Sequence, residues 1–334
     1  MPKRFVLILI FLGVFISKPF AQVISEMTGM CAPTLNLSVC LYAFDSKPLS
    51  HRSPIVLVHG WNYKEIPGHP IKDLWGNFKS FYDSEPELYS KFKLYELNYY
   101  SNDITLKDMS GAFASILGYF EGFERGNVVI IAHSMGGLLA RGSLGFPAPK
   151  RGFTGDRVSL LITLGTPHHG TVLANGPAIY DHISPHWFPL LPIISSSIKP
   201  SWSDLSRSEI LWDNFDGILD YLAYASEYND FLVGLNKDTS FDNKITAYGG
   251  KIEKCDDAGI LYCLGDKLIE DVLGVDSDGM VPVSSSLFYT DPQKANSRFR
   301  TRHLYDHDHS QIAKGRGDDV LFEIIKHDLL SIKK

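Results

Sequence analysis

The sequence has no excess of basic residues, few cysteines and no long tract of biased composition. Its 32 Lys and Arg are outnumbered by 38 Asp and Glu, which gives a formal net charge of −6, and no basic stripe stands out. Because a nucleic-acid-binding surface needs clustered Lys and Arg, this balance argues against nucleic acid as a partner. With 44% hydrophobic and 21% charged residues, the composition excludes disordered, collagen-like and fibrous chains.

A hydrophobic run long enough to span a bilayer is missing from the N-terminal segment. The apolar run covers residues 5–16, twelve in all, whereas a transmembrane helix needs about 20. Lys3 and Arg4 precede it and Ala21 closes the segment, an order typical of a cleaved signal peptide. We therefore predict a signal peptide over residues 1–21 and secretion or export to the periplasm, with a retained anchor as the alternative. Residues 22–334 then carry 29 Lys and Arg against 38 Asp and Glu, a net charge of −9.

The four cysteines allow three disulfide connectivities, and export favours their oxidation. Cys31 lies close to Cys40 in the sequence, and Cys255 lies close to Cys263. Pairing within each group closes short loops and requires the least chain organisation, so we predict these two disulfides. No C-x-x-C spacing is present, which argues against a four-cysteine metal site or a redox-active pair.

Short apolar runs alternate with stretches of helical periodicity along the chain. The runs of strand length are Ile55 to Val58, Leu94 to Leu97, Val128 to Ile131, Leu160 to Leu164 and Ile245 to Tyr248. The helical stretches are Leu74 to Phe81, Ile104 to Phe123 and Asp318 to Ile332. Continuous apolar strands separated by helices predict an α/β fold with a mostly parallel sheet covered by helices on both faces.

The segment V-V-I-I-A-H-S-M-G-G combines a buried strand with a candidate nucleophile, Ser134. A sharp turn from strand to helix needs small residues beside the nucleophile, so that the hydroxyl is lifted above the sheet. Ala132 stands where G-x-S-x-G has its first glycine, and it is still small. Residues 138–141 continue as a helical pattern, which is the context that the motif requires.

Two further motifs strengthen this interpretation. I-V-L-V-H-G-W runs from a strand into His59, Gly60 and Trp61, where a glycine lets a backbone N–H point toward an oxyanion. L-I-T-L-G-T-P-H-H-G ends at Gly170. With these motifs in this order, the chain resembles a secreted bacterial lipase or esterase of the α/β-hydrolase superfamily. The resemblance implies an oxyanion hole made by the backbone N–H groups of Trp61 and Met135, and a lid after the third motif.

The acid and the histidine of a serine triad follow the nucleophile in α/β-hydrolases. The segment D-S-D-G-M-V-P resembles the acid loop of the family, which selects Asp278 and leaves Asp276 as the alternative. H-L-Y-D-H-D-H-S-Q-I-A-K-G offers three later histidines. The family pattern of a histidine followed by a polar residue selects His309, with His307 next.

The remaining histidines are weaker candidates. We interpret His59 and His133 as packing or loop-ordering residues. His168 and His169 are adjacent, so on a regular element they point in different directions and do not share a metal. A metal cluster is an alternative role for the last histidines of the chain and the aspartates beside them: His303, Asp306, His307, Asp308 and His309. No cofactor is required, but the lipase resemblance raises a structural Ca²⁺ with Asp306 or Asp308 as one ligand.

The segment from about 171 to 240 is too long for a simple connection. Its apolar stretch lacks the pattern of a core helix, and Trp202 and Trp212 follow it. The candidate substrate or lid residues in this stretch are Trp187, Phe188, Leu190 and Leu191. We expect a lid over an acyl pocket, with a permanently packed helical cap as the alternative.

Together these observations predict one α/β-hydrolase domain over residues 22–334 with a cap or lid insert at about 171–240. The predicted function is ester hydrolysis through an acyl-enzyme on Ser134, with a secreted triacylglycerol lipase as the leading hypothesis. The expected partner is a lipid or other acyl ester, with transient lipid-interface contact through the insert. Alternatives are a phospholipase, thioesterase, amidase or acyltransferase with the same triad, because a fold does not select the leaving group, or a catalytically silent binding protein.

Overall fold

The structure is a computed structural model, and most of the chain downstream of residue 30 is described. It covers residues 30–32, 39–61, 72–99, 101, 104–120, 122–149, 152–175, 209–217, 229–317 and 320–332. The predicted signal peptide lies outside these residues. So do Trp202 and the four candidate lid residues Trp187, Phe188, Leu190 and Leu191.

A central sheet of eight strands organises the described residues, in the spatial order β1-β2-β4-β3-β5-β6-β7-β10. Its strands are β1 (Met30–Cys31), β2 (Val39–Ala43), β3 (Ser53–Val58), β4 (Phe92–Tyr99), β5 (Val128–His133), β6 (Val158–Leu164), β7 (Ile245–Lys251) and β10 (Arg300–Tyr305). The six strands from β4 to β10 are parallel, whereas β2 is antiparallel to β4 and β1 is antiparallel to β2. A separate hairpin joins β8 (Tyr289–Asp291) to β9 (Lys294–Ser297).

Helices follow most of the parallel strands. They are α1 (Lys72–Ser84), α2 (Pro86–Lys91), α3 (Leu106–Tyr119), α4 (Met135–Leu144), α5 (Asp230–Lys237), α6 (Ile260–Leu273), α7 (Val283–Ser286), α8 (Gln311–Lys314) and α9 (Val320–Leu330). None of the helices in the described part of the chain has the length and hydropathy that crossing a bilayer requires.

Both faces of the sheet are buried, because alternate residues of the same strand enter different cores. In β3, Val56 and Val58 pack with α3 and α4, whereas Ile55 and Leu57 pack with α1 and α9. A strand buried on both faces must be apolar at every position, which is the pattern seen in the sequence. The predicted mostly parallel α/β fold is confirmed.

The carboxyl ends of the parallel strands gather the predicted site residues at one edge of the sheet. β3 runs into His59, β5 into Ser134, and β10 into the turn that carries His309. In open α/β sheets, ligands bind in the crevice at this edge. The topology therefore brings together residues that are far apart in the sequence.

Both predicted disulfides are present in the structure. Cys31 pairs with Cys40 across the β1–β2 ladder, and Cys255 pairs with Cys263 at the start of α6. No described cysteine is left free. Each bond closes a loop of fewer than ten residues, as the sequence spacing predicts.

Candidate active site

Ser134 occupies a sharp turn between β5 and α4. Its φ of 56° and ψ of −134° lie outside the regions that a serine ordinarily adopts. The turn is fixed on both sides, because the Ser134 N–H donates to the Leu164 carbonyl at 2.8 Å and its carbonyl accepts the Gly137 N–H at 3.0 Å. Strain of this kind at a single polar residue is typical of a nucleophile elbow.

The glycines after Ser134 are required by close packing. A Cβ at Gly136 would overlap the main-chain carbonyl of His59, and one at Gly137 would overlap the side chain of Thr166. Ala132 is fully buried at the end of β5, so the alanine methyl is accommodated where the motif has glycine. The departure from G-x-S-x-G therefore does not disturb the turn.

The loop after β3 lies directly against the nucleophile. A Cβ at Gly60 would fall 2.5 Å from the Ser134 Cβ, so only glycine allows this approach. The His59 ring supports the loop, since its Nδ1–H donates to the Gly60 carbonyl at 2.7 Å and it stacks on Tyr99 at 4.0 Å. Burial lowers the pKa of His59 to about 4, so the ring is neutral near pH 7. It is a loop-ordering residue, in agreement with the sequence interpretation.

The two predicted oxyanion donors flank this contact. Trp61 follows Gly60 and packs against the core under α3 and α4. Met135 begins α4 immediately after Ser134, and the first N–H groups of a helix have no partner within it. Both main-chain amides thus belong to segments in contact with the nucleophile.

Ser134, His309 and Asp278 form one chain of hydrogen bonds. His309 Nδ1 lies 2.8 Å from Asp278 Oδ2, and His309 Nε2 lies 2.8 Å from Ser134 Oγ. Because a carboxylate can only accept, the Nδ1 atom carries the proton and Nε2 is left to accept the serine O–H. The three residues selected from the sequence are therefore brought together in the arrangement of a serine triad.

Asp278 is completely buried and its carboxylate is held by the backbone. The N–H groups of Met280 and Val281 donate to Oδ1 at 2.9 and 2.8 Å, which leaves Oδ2 for His309. The His309 N–H also donates to the Asp278 carbonyl at 2.8 Å. The alternative acid, Asp276, is largely exposed and pairs with Lys251 at 3.0 Å, so it does not take part in this chain.

The other two histidines of this segment, His303 and His307, contact Tyr305 instead of the triad. His307 Nδ1–H donates to the Tyr305 carbonyl at 2.7 Å, and His303 stacks on Tyr305. Asp308 caps the turn that carries His309, since its Oδ1 accepts the N–H groups of Ser310 and Gln311, both at 2.9 Å. The carboxylate of Asp308 thus shapes the loop of residues 306–310, which we call the histidine loop.

The described residues contain no group of three or more His, Cys, Asp or Glu side chains arranged to hold a metal ion. Asp308 is already occupied on both oxygens, because Oδ2 accepts the Gly259 N–H at 3.0 Å. A calcium ion at Asp308 would have to displace these donors. The structural Ca²⁺ at Asp306 or Asp308 stays a prediction.

The adjacent histidines of the third motif point to different partners. Nδ1 of His168 accepts from buried Arg141 at 3.0 Å, and its Nε2–H donates to Thr163, whereas Nδ1 of His169 faces Asp213 at 2.8 Å. Burial lowers the pKa of His168 well below its usual value and that of Arg141 to about 9. Both rings are buried in the core and bond to separate partners.

Two described parts of the insert, residues 171–175 and 209–217, are anchored to each other and to the core. The Thr171 N–H donates to the Ile210 carbonyl at 3.0 Å, and the Asp213 N–H donates to the His169 carbonyl at 2.9 Å. Trp212 is buried against α6 rather than exposed. It therefore belongs to the packed core and offers no surface for a ligand.

The sequence interpretation missed one part of the site, the loop closed by the Cys255–Cys263 disulfide. Its Gly259 N–H donates to Asp308, and the Tyr262 ring centroid lies 6.4 Å from that of His309. The cysteine spacing predicted a closed loop but did not indicate that this loop lies beside Asp308 and His309. Such a contact between segments about 50 residues apart cannot be deduced from local pattern.

Comparisons with known proteins agree with this fold. The mature form of the Bacillus licheniformis lipase BlEst2 aligns with a TM-score of 0.54 at 18% identity, over 86% of this chain and 97% of that chain. The propeptide form of the same lipase aligns with a TM-score of 0.53 at 18% identity, over 88% of this chain and 54% of that chain. This chain thus spans about half of the propeptide form. Among curated proteins, none matches the sequence.

The family assignment comes from a sequence model rather than from these distant structures. The model of the PGAP1-like alpha/beta domain matches residues 80–263, more than half of the chain. The matched range includes Ser134 and the strands β4, β5, β6 and β7, whereas β3 lies before it. The chain belongs to the PGAP1-like alpha/beta domain family of lipase/esterase-type α/β hydrolases.

Proposed function

We propose that this protein is a serine carboxylic ester hydrolase, a secreted triacylglycerol lipase, that acts through an acyl-enzyme on Ser134. The observation that carries the proposal is the hydrogen-bonded chain from Ser134 through His309 to Asp278, at 2.8 Å for each contact. It is built at the edge of the sheet where ligands bind in α/β folds.

In the first step, His309 takes the proton of Ser134 as the hydroxyl oxygen attacks the ester carbonyl. Asp278 stabilises the resulting imidazolium and holds the ring in the required tautomer. The backbone N–H groups of Trp61 and Met135 donate to the oxyanion, each contributing roughly 3 kcal/mol. The alcohol leaves with the proton from His309. Water then attacks the acyl carbonyl while His309 takes its proton, and Ser134 leaves with that proton, which frees the carboxylic acid and restores the triad.

A Ser134→Ala variant tests the reaction class. We expect the wild type to hydrolyse a soluble p-nitrophenyl ester and to be labelled by a fluorophosphonate, and the variant to lose both properties. The residual rate should be lower by a factor on the order of 10³ or more. A folded variant that keeps most of its hydrolytic rate would contradict the proposal. So would a wild type that neither turns over the ester nor takes the label, which would favour a silent binding protein.

Substrate class needs a second experiment, because the triad does not select the leaving group. Rates across p-nitrophenyl esters of increasing chain length, with and without emulsified triglyceride, separate a lipase from an esterase. We expect higher rates for long acyl chains and turnover of the emulsion. Phospholipid, thioester and amide substrates in the same assay test the other acyl-transfer reactions.

Secretion is part of the proposal and is supported by the two disulfides, which persist in oxidising compartments. Mass spectrometry of the protein recovered from its natural host tests this directly. We expect a mature N-terminus after Ala21. An intact N-terminal segment on a membrane-bound protein would contradict it.

A further inference from the structure

His133, the last residue of β5, directly precedes the nucleophile and is not a member of the triad. Its Nε2 atom is 2.8 Å from the main-chain carbonyl oxygen of His309, and the two rings are 4.7 Å apart. The side chain is buried. It therefore connects the strand that carries the nucleophile directly to the loop that carries His309.

The hydrogen bond defines the protonation of His133. A carbonyl oxygen can only accept, so Nε2 must carry a proton. Burial and the nearby His309 ring lower the pKa of His133 well below its usual value, so the ring carries no second proton and is neutral. It can hold His309 without adding a positive charge beside a ring that must itself become cationic during the reaction.

The two partners of this bond differ in their place in the fold. His133 is the last residue of β5 and pairs in register with Leu164 of β6. His309 lies in a loop after β10, the edge strand of the sheet. Besides its triad contacts, the main chain of His309 is held by its N–H bond to the Asp278 carbonyl and by the bond from His133. The bond thus ties the loop to a central strand.

We propose that His133 is a positioning residue that fixes the main chain of His309 at the distance from Ser134 at which the imidazole can accept the serine proton. Because His133 and Ser134 are consecutive, a single rigid residue sets the separation of nucleophile and base. This inference rests on the proposed function, in which His309 is the general base. The relevant scale is that a displacement of about 1 Å costs on the order of 100-fold in rate.

The test compares His133→Phe, which keeps a ring but removes the donor, with His133→Gln, whose amide N–H can replace Nε2. We expect His133→Phe to lower kcat on a soluble ester by about 10-fold to 100-fold with little change in KM. His133→Gln should recover a large part of that loss. The control is His303→Phe on β10, which removes an exposed histidine that stacks on Tyr305 and should leave kcat unchanged.

Three results would overturn the inference: a His133→Phe variant with unchanged kcat, a loss confined to KM, or a His133→Gln variant no better than His133→Phe at equal thermal stability. If His133→Phe does not fold, ¹⁵N NMR of labelled histidines in the wild type tests the inference through the protonation state of His133. A neutral His133 with its proton on Nε2 supports the inference, whereas the Nδ1–H form or an imidazolium at neutral pH overturns it. The rate of Ser134→Ala gives the background of the assay. A wild type that is no faster than this variant would show that the proposed function is wrong, which is a different outcome from failure of the inference about His133.

Discussion

The nucleophile elbow and the histidine loop meet at 2.8 Å, but they are built by different means. The elbow, residues 132–137, is fixed by its own backbone, by strand register and by contacts that only glycine permits. The histidine loop, residues 306–310, is held by side chains and by a segment about 50 residues away. Both regions depend on contacts with distant segments. Those of the elbow require glycines that are visible in the sequence, whereas those of the histidine loop are made by side chains with no shared local pattern.

The largest expected effect comes from disturbing the elbow. A Cβ at Gly136 would overlap the His59 carbonyl, and this is a contact of backbone with backbone that cannot move aside. We expect Gly136→Ala to lower kcat/KM by more than about 100-fold and to cost roughly 1–3 kcal/mol in the free energy of unfolding. Ester hydrolysis and chemical unfolding measure the two effects.

Gly234→Ala provides the control for this substitution. Gly234 lies within α5, and a Cβ there meets nothing within 4 Å. The same change should leave activity intact and stabilise the helix by about 0.5–1 kcal/mol. Equal activity in the two variants would show that the elbow is not fixed by the Gly136 contact.

Asp308 is the corresponding test of the histidine loop. Asp308→Ala removes the cap on Ser310 and Gln311 and the bond from Gly259, and we expect a loss of about 1–2 kcal/mol in stability and about 10-fold in kcat. Asp308→Asn keeps one carbonyl oxygen, so its stability and kcat should lie between those of the wild type and those of Asp308→Ala. The control is Asp291→Ala, which removes a similar turn contact to the Gln293 N–H in the separate β8–β9 hairpin. Comparable losses of activity at both positions would argue against a specific role for the cap.

The difference between the two regions explains how much the sequence could predict. The buried strands follow from local apolar runs, and Ser134 from a motif that contains its own glycines. Asp278 and His309 were selected from the family resemblance and its order of residues, and the structure brings these two side chains and Ser134 together. The edge strands were missed. In β10, for example, charged and polar residues dominate, and only Leu304 is buried. The contact of Gly259 with Asp308 was missed because it joins two loops with no shared pattern.

The two disulfides allow this contrast to be sharpened with matched variants. Both close loops of similar length, so Cys255→Ser/Cys263→Ser and Cys31→Ser/Cys40→Ser should each cost about 2–3 kcal/mol in stability. Only the first pair closes the loop that contacts Asp308 and lies near His309. We therefore expect a several-fold loss of kcat for the first pair and none for the second. Thermal unfolding and steady-state kinetics on a soluble ester separate these effects, and a loss of kcat in both pairs would contradict the expectation.

The last expected effect concerns the pH dependence of stability, and it belongs to the elbow side of the site. His59 has a folded-state pKa of about 4 against about 6.5 when unfolded, so the unfolded chain binds more protons between these values. Stability contributed by the neutral ring is therefore present above about pH 6.5 and is lost as the pH falls toward 4, by an amount on the order of 2–3 kcal/mol. Burial also lowers the pKa values of His133 and His168, so the wild type should lose stability steeply in this range.

Replacing His59 with Phe should lower stability near pH 7, because the bond to the Gly60 carbonyl is lost, but should flatten the dependence of stability on pH. Urea unfolding at about pH 7 and about pH 5 measures the stability and its change with pH. If the variant loses as much stability between these pH values as the wild type, His59 is not a source of the acid sensitivity.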